Sequence, residues 1–107
     1  MIPRALSPII LEDSGHYSVI GLLGPRQSGK TTLARNLFPE KRYLNLEDPE
    51  QRAFAKDDPR GFLSDRGHGI IIDEFQRVPE LLSYIQTITD EEQVAGQFIL
   101  TGSQNFL

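Results

Sequence analysis

Eight consecutive residues, Gly24-Pro25-Arg26-Gln27-Ser28-Gly29-Lys30-Thr31, place two glycines, a lysine and a hydroxyl at the spacing G-x-x-x-x-G-K-[ST]. A triphosphate carries several negative charges. A short loop can aim successive backbone N–H groups at its oxygens only where parts of the loop adopt conformations that a Cβ disfavours. Gly24 and Gly29 supply that freedom. Lys30 then opens a helix, so its ammonium can reach the β- and γ-phosphates while the positive end of the helix dipole faces the same charge. The Thr31 hydroxyl is a ligand for Mg²⁺, and Thr32 follows it as part of the expected nucleotide-binding stretch from Gly24 to Thr32. A plain Gly-Pro turn with a solvated lysine is the competing reading. Against it stand an apolar run before the loop, Val19-Ile20-Gly21-Leu22-Leu23, and helical spacing of Leu33, Ala34, Leu37 and Phe38 after it, stopped by Pro39.

A second chemical pair follows in Gly69-Ile70-Ile71-Ile72-Asp73-Glu74. Isoleucines pointing to both faces predict a strand buried on both sides, as in a parallel sheet covered by helices. Acids at the C-terminal end of such a strand emerge where ligands of open α/β sheets bind. Asp73 is then the metal acid beside Thr31, acting through water because Mg²⁺ keeps much of its hydration. Glu74 is the residue that orients and polarises an attacking water. A third run, Gln97-Phe98-Ile99-Leu100-Thr101-Gly102-Ser103-Gln104, predicts another buried strand with a polar tip. Placed beside the other two motifs, its tip puts Thr101, Ser103 or Gln104 near the γ-phosphate.

The elements that must position these groups are legible at lower resolution. An irregular arm with a short helix over residues 8–17 opens the chain. Alternation over residues 43–46 predicts a strand, residues 50–56 a short helix, and Phe62 and Leu63 a turn packed on the sheet. Pro79 and Glu80 open a further helix with an apolar face of Leu81, Leu82, Ile85 and Ile88, expected to end near Thr89 because Asp90-Glu91-Glu92 oppose the dipole of a longer one. Glu47, Asp48, Asp57 and Asp58 are candidate metal ligands by type. Two of them directly precede prolines, and turn or cap roles account for them.

Composition narrows the field. With 107 residues, 38% of them hydrophobic, the chain supports one small globular domain. A formal net charge of -4 gives no global attraction to nucleic acid or to anionic membrane. The absence of cysteine excludes disulfides and thiolate metal sites and suits a reducing compartment, so a cytoplasmic protein is expected. No apolar run reaches the roughly 20 residues a bilayer span needs.

Phosphate loop, apolar strand ending in Asp-Glu, then apolar strand ending in a polar tip is the order of motifs in ATPases with an added catalytic glutamate. The chain resembles the AAA+-type P-loop ATPase domain of a bacterial and archaeal family of ATP-binding proteins that carry a C-terminal domain of unknown function. Besides the motifs above, Leu46-Glu47-Asp48-Pro49, Asp58-Pro59-Arg60-Gly61-Phe62-Leu63 and Phe75-Gln76-Arg77-Val78-Pro79-Glu80-Leu81-Leu82 carry the likeness, which covers nearly the whole chain. It implies a three-layer α/β fold with a mostly parallel sheet of order 5-1-4-3-2. It also implies ATP and Mg²⁺ as ligands, Thr31 and Asp73 as metal residues, Lys30 and Glu74 as catalytic residues, and the Thr101 to Gln104 tip as the first sensor, with Ser103 the preferred catalytic contact and Gln104 next.

The family continues past the sensor strand with a fifth strand, a helical lid and a further domain, whereas this sequence stops at Leu107. Residues 1–107 are therefore expected to be a single, truncated ATPase domain, or one completed by self-association through the edge at Val19 to Leu23. An arginine finger is worth about 10³ to 10⁵ in rate, roughly 4 to 7 kcal/mol of barrier, so without one slow hydrolysis is expected of the chain alone. Two other functions remain: a nucleotide or small-molecule kinase, and a non-catalytic ATP-binding interaction module. A GTPase is disfavoured because no Asn-Lys-x-Asp guanine-reading element occurs.

Overall fold

The computed structural model describes residues 17–24 and 29–103. The expected helix over residues 8–17, the loop residues Pro25, Arg26, Gln27 and Ser28, and Gln104 lie wholly or almost wholly outside the described residues.

Within them, four strands form one parallel sheet: β1 (Val19–Gly24), β2 (Arg42–Asn45), β3 (Ile70–Asp73) and β4 (Phe98–Ser103), in the order β1-β4-β3-β2. This is the 1-4-3-2 part of the expected order, and the fold is α/β as the sequence predicted. Every residue of β3 is buried, which follows from its position between two paired neighbours and between two layers of helix.

Side-chain alternation divides the core in two. Ile70, Ile72, Phe98 and Leu100 face a larger cluster with Ala55, Phe62, Leu81 and Ile85. Ile71 and Ile99 face a smaller one with Ile20, Ala34 and Phe38. Helix α1 (Lys30–Leu37) therefore covers one face of the sheet. Helices α2 (Pro49–Asp57), α3 (Pro59–Phe62) and α4 (Leu81–Glu92) cover the other.

The caps follow the turn chemistry of the sequence. Asp48 accepts from the Glu50 N–H at 3.0 Å with Pro49 at the first helical position, and Asp58 accepts from the Gly61 N–H at 3.0 Å ahead of Pro59. Asp57 closes α2 and Glu47 pairs with Arg77 at 3.0 Å, so all four acids have structural places.

Two expectations need correction. Helix α4 runs to Glu92 rather than stopping near Thr89. The acids at its end are exposed to water, Arg66 forms an ion pair with Glu92, and Gln97 Nε2 donates to Glu92 Oε1 at 2.6 Å, which offsets the unfavourable dipole. Gln93, at φ 53°, then closes the helix by donating its N–H to the Thr89 carbonyl at 2.8 Å. Leu82 is not core either. It is 39% exposed, because one step from Leu81 along a helix turns the side chain about 100° away from the sheet.

Ile72 is fully buried in the larger cluster. Truncation to alanine is expected to lower stability by about 2 to 5 kcal/mol in urea unfolding, through lost transfer energy and the cavity left behind. A loss below about 1 kcal/mol would place that side chain outside a packed core.

Candidate functional site

Parallel pairing in register brings the strand ends to one rim. Gly24 pairs with Ser103, Asn45 with Asp73, and Ile72 with Leu100, so the C-terminal tips of all four strands finish side by side. Gly29 sits at φ 85°, a backbone region that a side chain disfavours, and caps α1 directly above that rim. The start of α1 therefore sets Lys30 and Thr31 over the ends of β3 and β4.

Two short hydrogen-bond chains result. In the first, Asp73 Oδ1 accepts from Thr31 Oγ1 at 3.1 Å and from Thr101 Oγ1 at 2.7 Å, while Oδ2 accepts from the Tyr43 hydroxyl at 2.5 Å. Asp73 alternates with Ile71, and Thr101 with Ile99, so both point to the face that α1 covers. In the second, Lys30 Nζ donates to Ser103 Oγ at 3.4 Å, and Ser103 Oγ donates to Glu74 Oε2 at 2.8 Å. Gln76 Nε2 donates to Glu74 Oε1 at 2.7 Å. Lys30, Asp73 and Glu74 are 4%, 7% and 7% exposed, so their charges interact in a partly desolvated setting, where each counts for more than on an open surface.

Glu74 holds this place through an uncommon backbone. At φ 57° and ψ 48° it is left-handed without being glycine, a conformation that costs roughly 1 to 3 kcal/mol. The turn reverses the chain out of β3 into a 3-10 turn at Phe75–Arg77 and brings Gln76 back onto the Glu74 carboxylate. Gly102 makes room for that return: a Cβ there would stand 2.9 Å from Gln76 Oε1 and 3.0 Å from Leu23 Cδ2.

The structure thus assembles Gly24, Gly29, Lys30, Thr31, Asp73, Glu74 and Ser103 on one rim. Thr101 is fully buried against Asp73, one layer below Ser103. Thr32 is exposed and lines a cleft of about 420 Å³ with Arg35, Asn36, Lys41 and Tyr43. Sequence reasoning missed Tyr43 and Gln76. Burial, followed by the hydrogen bond to Asp73, holds the Tyr43 phenol well above its ordinary pKa of 10.0. The donor set also bears on metal binding. Among the described residues no cluster of three or more His, Cys, Asp or Glu could cage an ion. One carboxylate and one hydroxyl instead suit Mg²⁺, which takes few protein ligands and relies on water and phosphate oxygens.

A folded-state pKa raised above the unfolded value means that the neutral phenol stabilises the fold below about pH 10, and that this contribution is lost as pH rises through the folded-state value. Phenolate absorbance should therefore show a component ionising well after ordinary tyrosine, and Tyr43→Phe should remove that late component. Loss of an early component instead would mean that the Tyr43 hydroxyl is not held in this buried, hydrogen-bonded setting in solution.

The sequence profile of the AAA domain family matches residues 16–107. Uncharacterized proteins of Mycobacterium bovis and of Mycobacterium tuberculosis are each 38% identical over 88 residues, an alignment covering 79% of this chain and 20% of the relative. The chain thus spans about a fifth of the length of the curated relatives it matches. Among the described residues no helix is long and apolar enough to cross a membrane.

Proposed function

The chain belongs to the AAA domain family, and on that footing we propose that residues 1–107 form one P-loop domain that binds Mg-ATP, within a cytoplasmic AAA+-like ATPase that hydrolyses ATP to ADP and phosphate in its full-length or oligomeric context. The observation that carries the proposal is the contact chain from Lys30 through Ser103 to Glu74, set beside Thr31 and Asp73 on the same rim.

In this reading the loop from Gly24 to Thr32 wraps the phosphates, and Lys30 neutralises the β- and γ-phosphate oxygens from the start of α1. Thr31 and Asp73 hold Mg²⁺, which supplies charge neutralisation on those oxygens when bound. Glu74 takes the proton of the attacking water. Its carboxylate already accepts from Ser103 and Gln76, so it is oriented before substrate arrives. Ser103 touches both the cation and the general base, which suits a residue that senses the γ-phosphate between them.

The reading extends to assembly. Among the described residues β1 pairs with β4 alone, and the sheet face that these two strands share carries an apolar groove walled by Leu23, Phe75, Leu82 and Leu100. Such an edge is suited to pairing with a second copy or with a further domain. A kinase is the second reading, since phosphate loops serve both chemistries. The buried Glu74 beside Ser103 favours water as acceptor, and transfer of labelled γ-phosphate to a metabolite would reverse that preference.

Calorimetry with Mg-ATP and single-turnover hydrolysis test the proposal together. Lys30→Ala is expected to weaken ATP binding at least about 10- to 100-fold, the value of one or two charge-assisted hydrogen bonds. Glu74→Gln should keep ATP binding and lose about 10²- to 10⁴-fold in turnover. Undiminished hydrolysis by Glu74→Gln would strip the acid of its assigned role, and wild-type binding unaffected by Lys30→Ala would point to a non-catalytic module.

A further inference from the structure

We infer that Tyr43 is a positioning residue that fixes the rotation of the Asp73 carboxylate, so that a single oxygen, Oδ1, is presented towards Thr31 and the metal position. The inference rests on the Mg-ATP reading above and adds to it a residue that the phosphate-loop, acid and sensor motifs do not contain.

The geometry is a closed circuit. Asp73 Oδ1 receives Thr31 from α1 and Thr101 from β4, and Oδ2 receives the Tyr43 hydroxyl from β2. Tyr43 pairs in register with Ile71, two residues before Asp73, so its ring crosses diagonally on the face shared by both and its hydroxyl arrives at the far oxygen. The Arg35 guanidinium lies 4.3 Å from the centroid of that ring and covers it from outside. Arg35 is one helical turn beyond Thr31, on the same side of α1. The helix that carries the metal hydroxyl therefore also carries the group that holds the tyrosine, and the tyrosine holds the metal acid.

A carboxylate with Oδ2 unclaimed could swing its plane about χ2, a broad torsion with little intrinsic preference, and turn the other oxygen away from the line to Thr31 and Thr101. With Tyr43 bound to Oδ2, the acid is oriented before the metal arrives. The tyrosine acts through Asp73, the side chain its hydroxyl donates to. Partners of this kind, one bond removed from a metal, typically contribute 10- to 100-fold to metal affinity.

Tyr43→Phe removes the hydroxyl and keeps the ring under Arg35. ATP binding is to be measured by calorimetry first in EDTA and then across a Mg²⁺ titration, with the unfolding midpoint recorded for each protein. The expected result is metal-free ATP affinity within about twofold of wild type and a Mg²⁺ requirement raised about 10- to 100-fold. Equal losses with and without Mg²⁺ would make Tyr43 a merely structural residue and overturn the inference, as would an unchanged Mg²⁺ requirement. If wild type itself shows no Mg²⁺-dependent ATP binding, the underlying Mg-ATP reading falls and takes this inference with it. Should Tyr43→Phe fail to fold, Arg35→Ala reads the same quantity through a loosened ring, with a Mg²⁺ requirement raised about two- to fivefold and the same metal-free affinity. No change in that variant would count against the circuit.

Discussion

A carboxylate that is 7% exposed must be satisfied by the protein around it, and at Asp73 this requirement organises the rim. Its three donors come from three different elements: Thr31 at the start of α1, Thr101 inside β4 and Tyr43 on β2. A shift of β2 takes the donor from Oδ2, and a shift of α1 or β4 takes one of the two donors from Oδ1. The sheet order supplies the donors, because β3 lies between β2 and β4 and its last side chain can be reached from both sides.

The neighbouring acid obeys the opposite logic. Glu74 is placed one residue past the end of the strand, where alternation no longer governs direction, and its backbone is bent into the left-handed region. Three local adjustments support the bend: the Gln76 amide on one oxygen, the Ser103 hydroxyl on the other, and a glycine at 102 that admits Gln76 to the rim. Asp73 is thus held by the sheet, and Glu74 by a turn.

This difference explains what could be read from the sequence. That Gly29, Lys30, Thr31, Asp73, Glu74 and Ser103 would meet at one rim was legible because each lies at a fixed offset from a strand or helix whose period the residues themselves reveal. Tyr43 was not, because its meeting with Asp73 depends on the register between β2 and β3, which pattern alone leaves open. Gln76 was hidden for another reason. Its meeting with Glu74 depends on the turn after β3, whose left-handed backbone no periodicity in the residues announces. The end of α4 was misjudged because the local charges were weighed without Arg66, 26 residues away in sequence. Leu82 was assigned to the core by composition of the stripe, although its angle on the helix places it at the margin.

The left-handed backbone at Glu74 has a consequence for how this chain tolerates change. The residues most at ease in that conformation are glycine and asparagine, and neither can serve as a base. Substitution by either would relax the turn but would strip Ser103 and Gln76 of the carboxylate they donate to. The glutamate is thus not the residue its backbone favours. In the proposed reading that is the opposition of stability and activity expected where a site stores backbone strain.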